Sequence, residues 1–220
     1  TRYPFLMEGG EIASLIQQYD WAQTSIGHLS GWPECLKSVV AIILRAKVPM
    51  ILLWGTDGVM IYNEGYAAFA GQRQPISLGS NVRQHWPEVA DFNANVLDVV
   101  LGGGTLSYRD QHLVIERNGT PEDVWLNLDY SAVPDENGVP AGVLAIIKDT
   151  TQRVRTEQRL RIAQEAGGIG TFEWYPGTGM LDVSDEYRRI WGLAPDVTVT
   201  DKLLVSLLHP DDLVKTGPAK

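Results

Sequence analysis

Apolar side chains recur at helical spacing in "WPECLKSVVAIILRAK", where Leu36, Val39, Val40 and Ile43 form one stripe and Pro33 suits a first helical turn. Such a stripe must pack on something. Residues 11 to 23 also read as helix. The pattern then changes: "PMILLWGTDGVMIYNEGY" holds two apolar runs around Gly55-Thr56-Asp57-Gly58, the signature of a hairpin. Beyond it, short helices are predicted between breaks at Gly71, Pro75, Gly79 and Pro87, followed by a longer helix from Phe92 to Leu101 that stops at three glycines. After those glycines the period becomes two. "SYRDQHLVIERNG", "EDVWLNLDYSAVPDENG" and "PAGVLAIIKDTT" predict three strands joined by turns at Asn118-Gly119 and Glu136-Asn137-Gly138. Two strands, a helical excursion and a three-strand meander make an α+β fold, a five-stranded antiparallel sheet with helices over one face.

From Thr151 to Ala166 nothing breaks a helix. Val154, Leu160, Ala163 and Gly167 give it only a narrow stripe, beside Arg153, Arg155, Arg159 and Arg161. A rod of this length is marginal alone and needs a partner helix or a sheet edge. On its far side the pattern of the first hairpin returns. "GVMIYNEGYAAFAG" aligns with "GMLDVSDEYRRIWG" at an offset of 121 residues, 179 minus 58, placing Tyr66 on Tyr187 and Gly71 on Gly192. Each stretch follows a Trp-bearing strand. The rod is thus expected to join two copies of one domain, the second incomplete and the whole a piece of a longer polypeptide.

Composition narrows the function. The chain has 220 residues, 44% of them hydrophobic, and a net charge of -9. The acidic balance argues against a nucleic-acid partner. The longest apolar run is interrupted by Arg45, Lys47 and Pro49, so no membrane contact is expected of this piece; the N-terminus does not read as a signal peptide, and a cytoplasmic setting follows. The single cysteine, Cys35, excludes an internal disulfide and reads as an inert thiol. Four scattered histidines give no metal-ligand spacing, and no phosphate loop, nucleophile elbow or phosphorylatable helix histidine is visible, so no catalytic residue is assigned.

The hairpin with "YNEGYAAFAG", the last strand ending "IIKDTTQR", and "AGGIGTFEWYPGTGMLDVSDEYRRIWGL…LLHPDD" resemble the PAS family of sensor domains. The likeness covers about residues 48 to 151 and 162 to 214, and residues 19 to 50 are similar to leaders before PAS domains in bacterial sensor histidine kinases. The organisation it implies is a helical leader over 1–47, a PAS domain over 48–150, a signalling linker helix over 151–166 and the start of a second, incomplete PAS domain over 167–220.

The resemblance also implies a ligand site between the inner sheet face and the short helices. It places there Phe69, Trp86, His112, Val114, Leu126, Leu128, Tyr130, Ala145 and Ile147. Filling a core is the ordinary role of such side chains. His112 and Tyr130 stand apart, because polar tips in an apolar pocket need partners that a ligand supplies. Asp149, Thr150 and Val154 are assigned to signal coupling, with Asp149 capping the rod. Trp125 falls on the outer face, which the leader helix is expected to cover unless that face forms a dimer seam.

The ligand stays unknown. Light-oxygen-voltage sensors need a cysteine in residues 64 to 90, where there is none; haem-binding PAS domains commonly use a histidine on the long helix, which has none. Cysteinyl-flavin photochemistry and haem are both disfavoured, with His85 and His112 as the remaining haem candidates. The expected partners are a second copy, through the N-terminal and linker helices, a small-molecule ligand, and an output kinase domain in cis. Two other readings stay open: a ligand-free dimerisation module with a packed core, and a small-molecule enzyme, which needs a cleft with two convergent titratable groups.

Overall fold

The computed structural model describes residues 3–7, 9–73 and 77–213, so the break expected at Pro75 lies outside the described residues. Two leader helices come first, α1 (Gly10–Gln18) and α2 (Glu34–Arg45). Then follow β1 (Met50–Trp54), β2 (Val59–Tyr62), α3 (Glu64–Ala70), α4 (Val82–His85) and α5 (Ala90–Leu101). The meander is β3 (Leu106–Glu116), β4 (Pro121–Pro134) and β5 (Pro140–Asp149), and α6 (Thr151–Ala166) leaves directly from it. All five strands form one antiparallel sheet in the order β2-β1-β5-β4-β3.

Both faces of the β1–β2 end are buried. Ile51 and Leu53 point to the same side as Tyr62 and Met60, their cross-strand partners, while Leu52 and Ile61 are fully buried on the other side. That second side needs a cover, and α2 packs on β1 and β2 with Leu36, Val40 and Ile43 of its stripe at 0% exposure. Indole nitrogens within the leader are satisfied locally: Trp21 donates to the carbonyl of Ile16 at 2.7 Å and Trp32 to that of Gly27 at 2.9 Å. The leader therefore covers the β1–β2 end, and Trp125, where it was also expected to pack, instead lies against His112 with ring centroids 4.9 Å apart. Cys35 makes a main-chain bond to Glu136; burial and that carboxylate push its thiol pKa up, which keeps the sulfur protonated.

On the inner face, α5 presents Asn93, Val96, Leu97 and Val100 at one helical spacing toward the sheet. The alternation of β4 is equally regular, with Val124, Leu126, Leu128 and Tyr130 buried. β3 is not regular. Its register on β4 shifts between Tyr108 and Gln111, so that Arg109 and Asp110 together stand opposite Asn127. This is a β-bulge, and Asp110 adopts φ of 48°, the one non-glycine residue with positive φ among those described.

By contact density the chain divides into two units, Thr1–Val154 and Arg155–Lys220, a division that falls inside α6. The second unit repeats the opening module of the first. β6 (Phe172–Tyr175) and β7 (Met180–Val183) form a hairpin, followed by α7 (Asp185–Trp191) and α8 (Asp201–Leu207). Asn63 caps α3 by accepting from the Tyr66 amide, and Ser184, 121 residues later, caps α7 by accepting from that of Tyr187. Gly58 and Gly179 both take positive φ in their hairpin turns, and their carbonyls accept from the first residues of α4 and α8, Val82 and Asp201. In the second unit Phe172, Trp174 and Ile190 remain exposed.

Candidate functional site

Between the inner sheet face and α3, α4 and α5 lies an apolar cavity of about 60 Å³. Its sheet wall is built from alternate residues of four strands: Ile51 and Leu53, Ala145 and Ile147, Leu126, Leu128 and Tyr130, and Leu113 and Ile115. Its helical wall is Tyr66, Phe69, Val82, Trp86, Val89, Phe92 and Asn93. Of the residues expected here, Phe69, Trp86, Leu126, Leu128, Tyr130, Ala145 and Ile147 meet around this space.

His112 and Val114 do not join them, and the bulge is the reason. One extra residue at Arg109–Asp110 inverts the facing of everything after it, so Leu113 and Ile115 turn inward. Val114 is 45% exposed, and His112 pairs through Nε2 with Asp123 at 2.6 Å on the outer face. His85, the other histidine considered for haem, also stays outside the cavity lining and meets the Ser77 hydroxyl at 2.7 Å.

Four side chains with a polar group border this apolar space. The Trp86 indole donates to the Tyr66 hydroxyl at 3.1 Å, which satisfies that pair. Tyr130 and Asn93 are both buried, and neither side chain makes a hydrogen bond to another described residue. Burial pushes the Tyr66 and Tyr130 phenols well above their usual range, so both stay neutral. Asn93 was not anticipated; its place on the inward stripe of α5 is the signal that marks it. Phe92, Tyr108 and Tyr130 cluster at the β3 side, with ring centroids 5.2 to 6.4 Å apart.

The junction between sheet and rod is a second cluster. Asp149 accepts from the Thr151 amide at 2.9 Å, closing the first turn of α6, and from Arg117 at 3.1 Å. Burial alone would raise its carboxyl pKa; the bonds from Thr151 and Arg117 outweigh that and lower it. Arg117 also grips Glu122 at 2.9 Å and lies 5.0 Å over the ring of Phe69, a wall of the cavity. Thr150, buried, donates to Asp110 at 2.7 Å, and its amide donates to the Trp125 carbonyl. Arg153 on α6 reaches the same Asp110 carboxylate. Arg153 first and Thr150 next hold that carboxyl below the usual range. Arg117, Asp110 and Arg153 carry no motif of their own; only the folded register brings them to Asp149 and Thr150.

No family model matches the chain. It is similar to the protein named "Probable diguanylate cyclase DgcE" of Escherichia coli (strain K12), at 27% identity over 169 residues, which cover 73% of this chain and 15% of that protein. The chain thus spans a small part of that relative's length. Solved structures similar to it include a light-oxygen-voltage protein of Rhodobacter sphaeroides (20% identity, 53% of this chain and 66% of that one, TM-score 0.42). Others are a sensory box sensor histidine kinase of Vibrio cholerae (16%, 50% and 85%, TM-score 0.36) and a PAS domain of a Colwellia psychrerythraea protein (15%, 54% and 99%, TM-score 0.41). At those scores the fold assignment rests on strand order and register instead. The antiparallel order β2-β1-β5-β4-β3, the helix layer over its inner face and the helix leaving β5 directly make this a protein of the PAS fold.

Proposed function

We propose that this chain is the sensory input region of a signalling protein, in which occupancy of the cavity alters the start of α6 and, through it, an output domain. One observation carries this reading: Arg117 lies over Phe69 at the cavity wall and at the same time bonds Asp149 at the start of α6. A ligand that moves Phe69 therefore changes the environment of the charge that holds the helix start. No flexible spacer separates β5 from α6, so a twist of the sheet becomes a rotation of the rod.

The output belongs to a longer polypeptide in a cytoplasmic setting. The name of the Escherichia coli relative supports a diguanylate cyclase, while the leader and tandem arrangement resemble those of histidine kinases. Homodimerisation through the leader and linker helices is supported by outward apolar side chains on both: Ile42 is 63% exposed, Leu160 57% and Ile162 61%. No described helix is long and apolar enough to cross a membrane.

The test is Arg117→Met in the full-length protein, with ligand occupancy and output measured on the same preparation. The expected result is retained occupancy and an output that no longer responds to it. A normal response would remove Arg117 from the coupling route.

The small cavity favours a second reading, a constitutive interaction module, since pockets for drug-sized ligands run to a few hundred Å³. Native mass spectrometry beside denatured mass and an absorption spectrum separates the two. A mass excess lost on denaturation supports sensing; an apo dimer supports the interaction module.

A further inference from the structure

A shallow groove opens on the surface beside the edge strand, between the turn Pro87–Val89, the first turn of α5 and β3. Val89, Phe92 and Leu113 line this groove and also line the buried cavity. All three are half-buried, as expected of side chains with one flank in each space. They are the side chains that the two spaces share, so they form the partition between groove and cavity. The turn that carries Val89 is fastened at one point: the Glu88 carboxylate accepts from Arg73 at 2.9 Å and from the Glu116 amide of β3 at 2.7 Å. Phe92 itself is held by ring contacts to Tyr108 and Tyr130 rather than by any hydrogen bond of its side chain.

Resting on the cavity reading above, we infer that this groove is the entry route of the ligand, with Phe92 as the gate and Glu88 as its latch, and that route and cavity together admit a small, uncharged molecule bearing one hydrogen-bonding group. Size and charge both argue for this class. The cavity of about 60 Å³ is less than half of the roughly 150 Å³ that holds benzene in an engineered protein core, so a flavin or a haem would require its walls to part. No Asp, Glu, Lys, Arg or His lines it, so a charged guest would lose its hydration without gaining a counter-charge. The groove carries Glu88 and Asp91, which further oppose an anion at the entrance. A wholly apolar guest would offer Asn93 and Tyr130 no partner, whereas a hydroxyl or carbonyl placed against either one supplies it.

The test uses 2-fluoroethanol as probe, with fluoroacetate and 2-fluoroethylammonium as anionic and cationic counterparts, followed by fluorine NMR saturation transfer on the whole chain. The neutral probe is expected to exchange with a bound form, and each charged counterpart to bind at least about tenfold more weakly. Phe92→Ala and Glu88→Ala are expected to speed that exchange about tenfold, whereas Val82→Ala, which enlarges the cavity away from the groove, alters affinity without the same acceleration. Equal acceleration by Val82→Ala, or equal binding of a charged counterpart, overturns the route or the ligand class. Failure of 2-fluoroethanol to bind both the wild type and Val82→Ala defeats the cavity reading itself, a different result from either.

Discussion

His85 shows how far one side chain's surroundings exceed its sequence context. It was weighed as a haem ligand, yet its ring meets Ser77 and its carbonyl accepts from Arg73, whose guanidinium sits 4.3 Å over Trp86. Burial first and Arg73 second lower its pKa from 6.5, against a smaller opposing effect of Glu88. As pH falls below about 6.5 the unfolded chain therefore takes up a proton before the native state does, and stability declines until the folded pKa is reached. His85→Gln should flatten the difference between urea midpoints measured at pH 7.5 and 5.5; an unchanged difference would assign it to other groups. Asp149 and Asp110 act in the same sense but in a more acidic window, since their lowered carboxyl pKa values add stability that is fully present above the ordinary carboxylate range and is lost as pH falls through it. Alternation grouped Leu126, Leu128 and Tyr130 on one face of β4, and the family resemblance turned that face inward together with Ala145 and Ile147 of β5. The facing of His112 and Val114 was not legible, because alternation carries no information about an inserted residue upstream.

Among the elements, α2 was the most legible. Its stripe of Leu36, Val40 and Ile43 demanded a surface, and the side of β1–β2 that carries Leu52 and Ile61 demanded a cover. Which sheet region it would cover was not legible, since β1, β2 and the Trp125 region all offer apolar residues. Leu36→Ala removes a fully buried side chain and should cost about 2–5 kcal/mol of the first unit's stability by urea unfolding. A loss of well under 1 kcal/mol would mean that the leader is dispensable to this core. The β3 bulge is the opposite case. It needs Asp110 at positive φ, and the Asn127 side chain that accepts from its amide at 2.8 Å lies 17 residues away in sequence.

For the whole molecule, the two units should report separately. The first holds the large core cluster and the complete five-stranded sheet; the second has a two-stranded sheet and several exposed aromatic side chains. Calorimetry should therefore show two transitions, with Leu36→Ala lowering only the one that belongs to Thr1–Val154. A single transition that shifts as a whole would show the units to be thermodynamically coupled.

Hydrophobic period, glycine placement and the 121-residue repeat were enough, by themselves, to determine the element order, the α+β class, the helical rod and the matching hairpins, because each rests on spacing between near neighbours in the chain. Tertiary structure alone decided the bulge, the inward turn of Leu113 and Ile115, the place of Asn93 on the cavity and the meeting of Arg117, Phe69 and Asp149. Those depend on register between strands and on side chains tens of residues apart, and a linear pattern leaves such pairings undetermined.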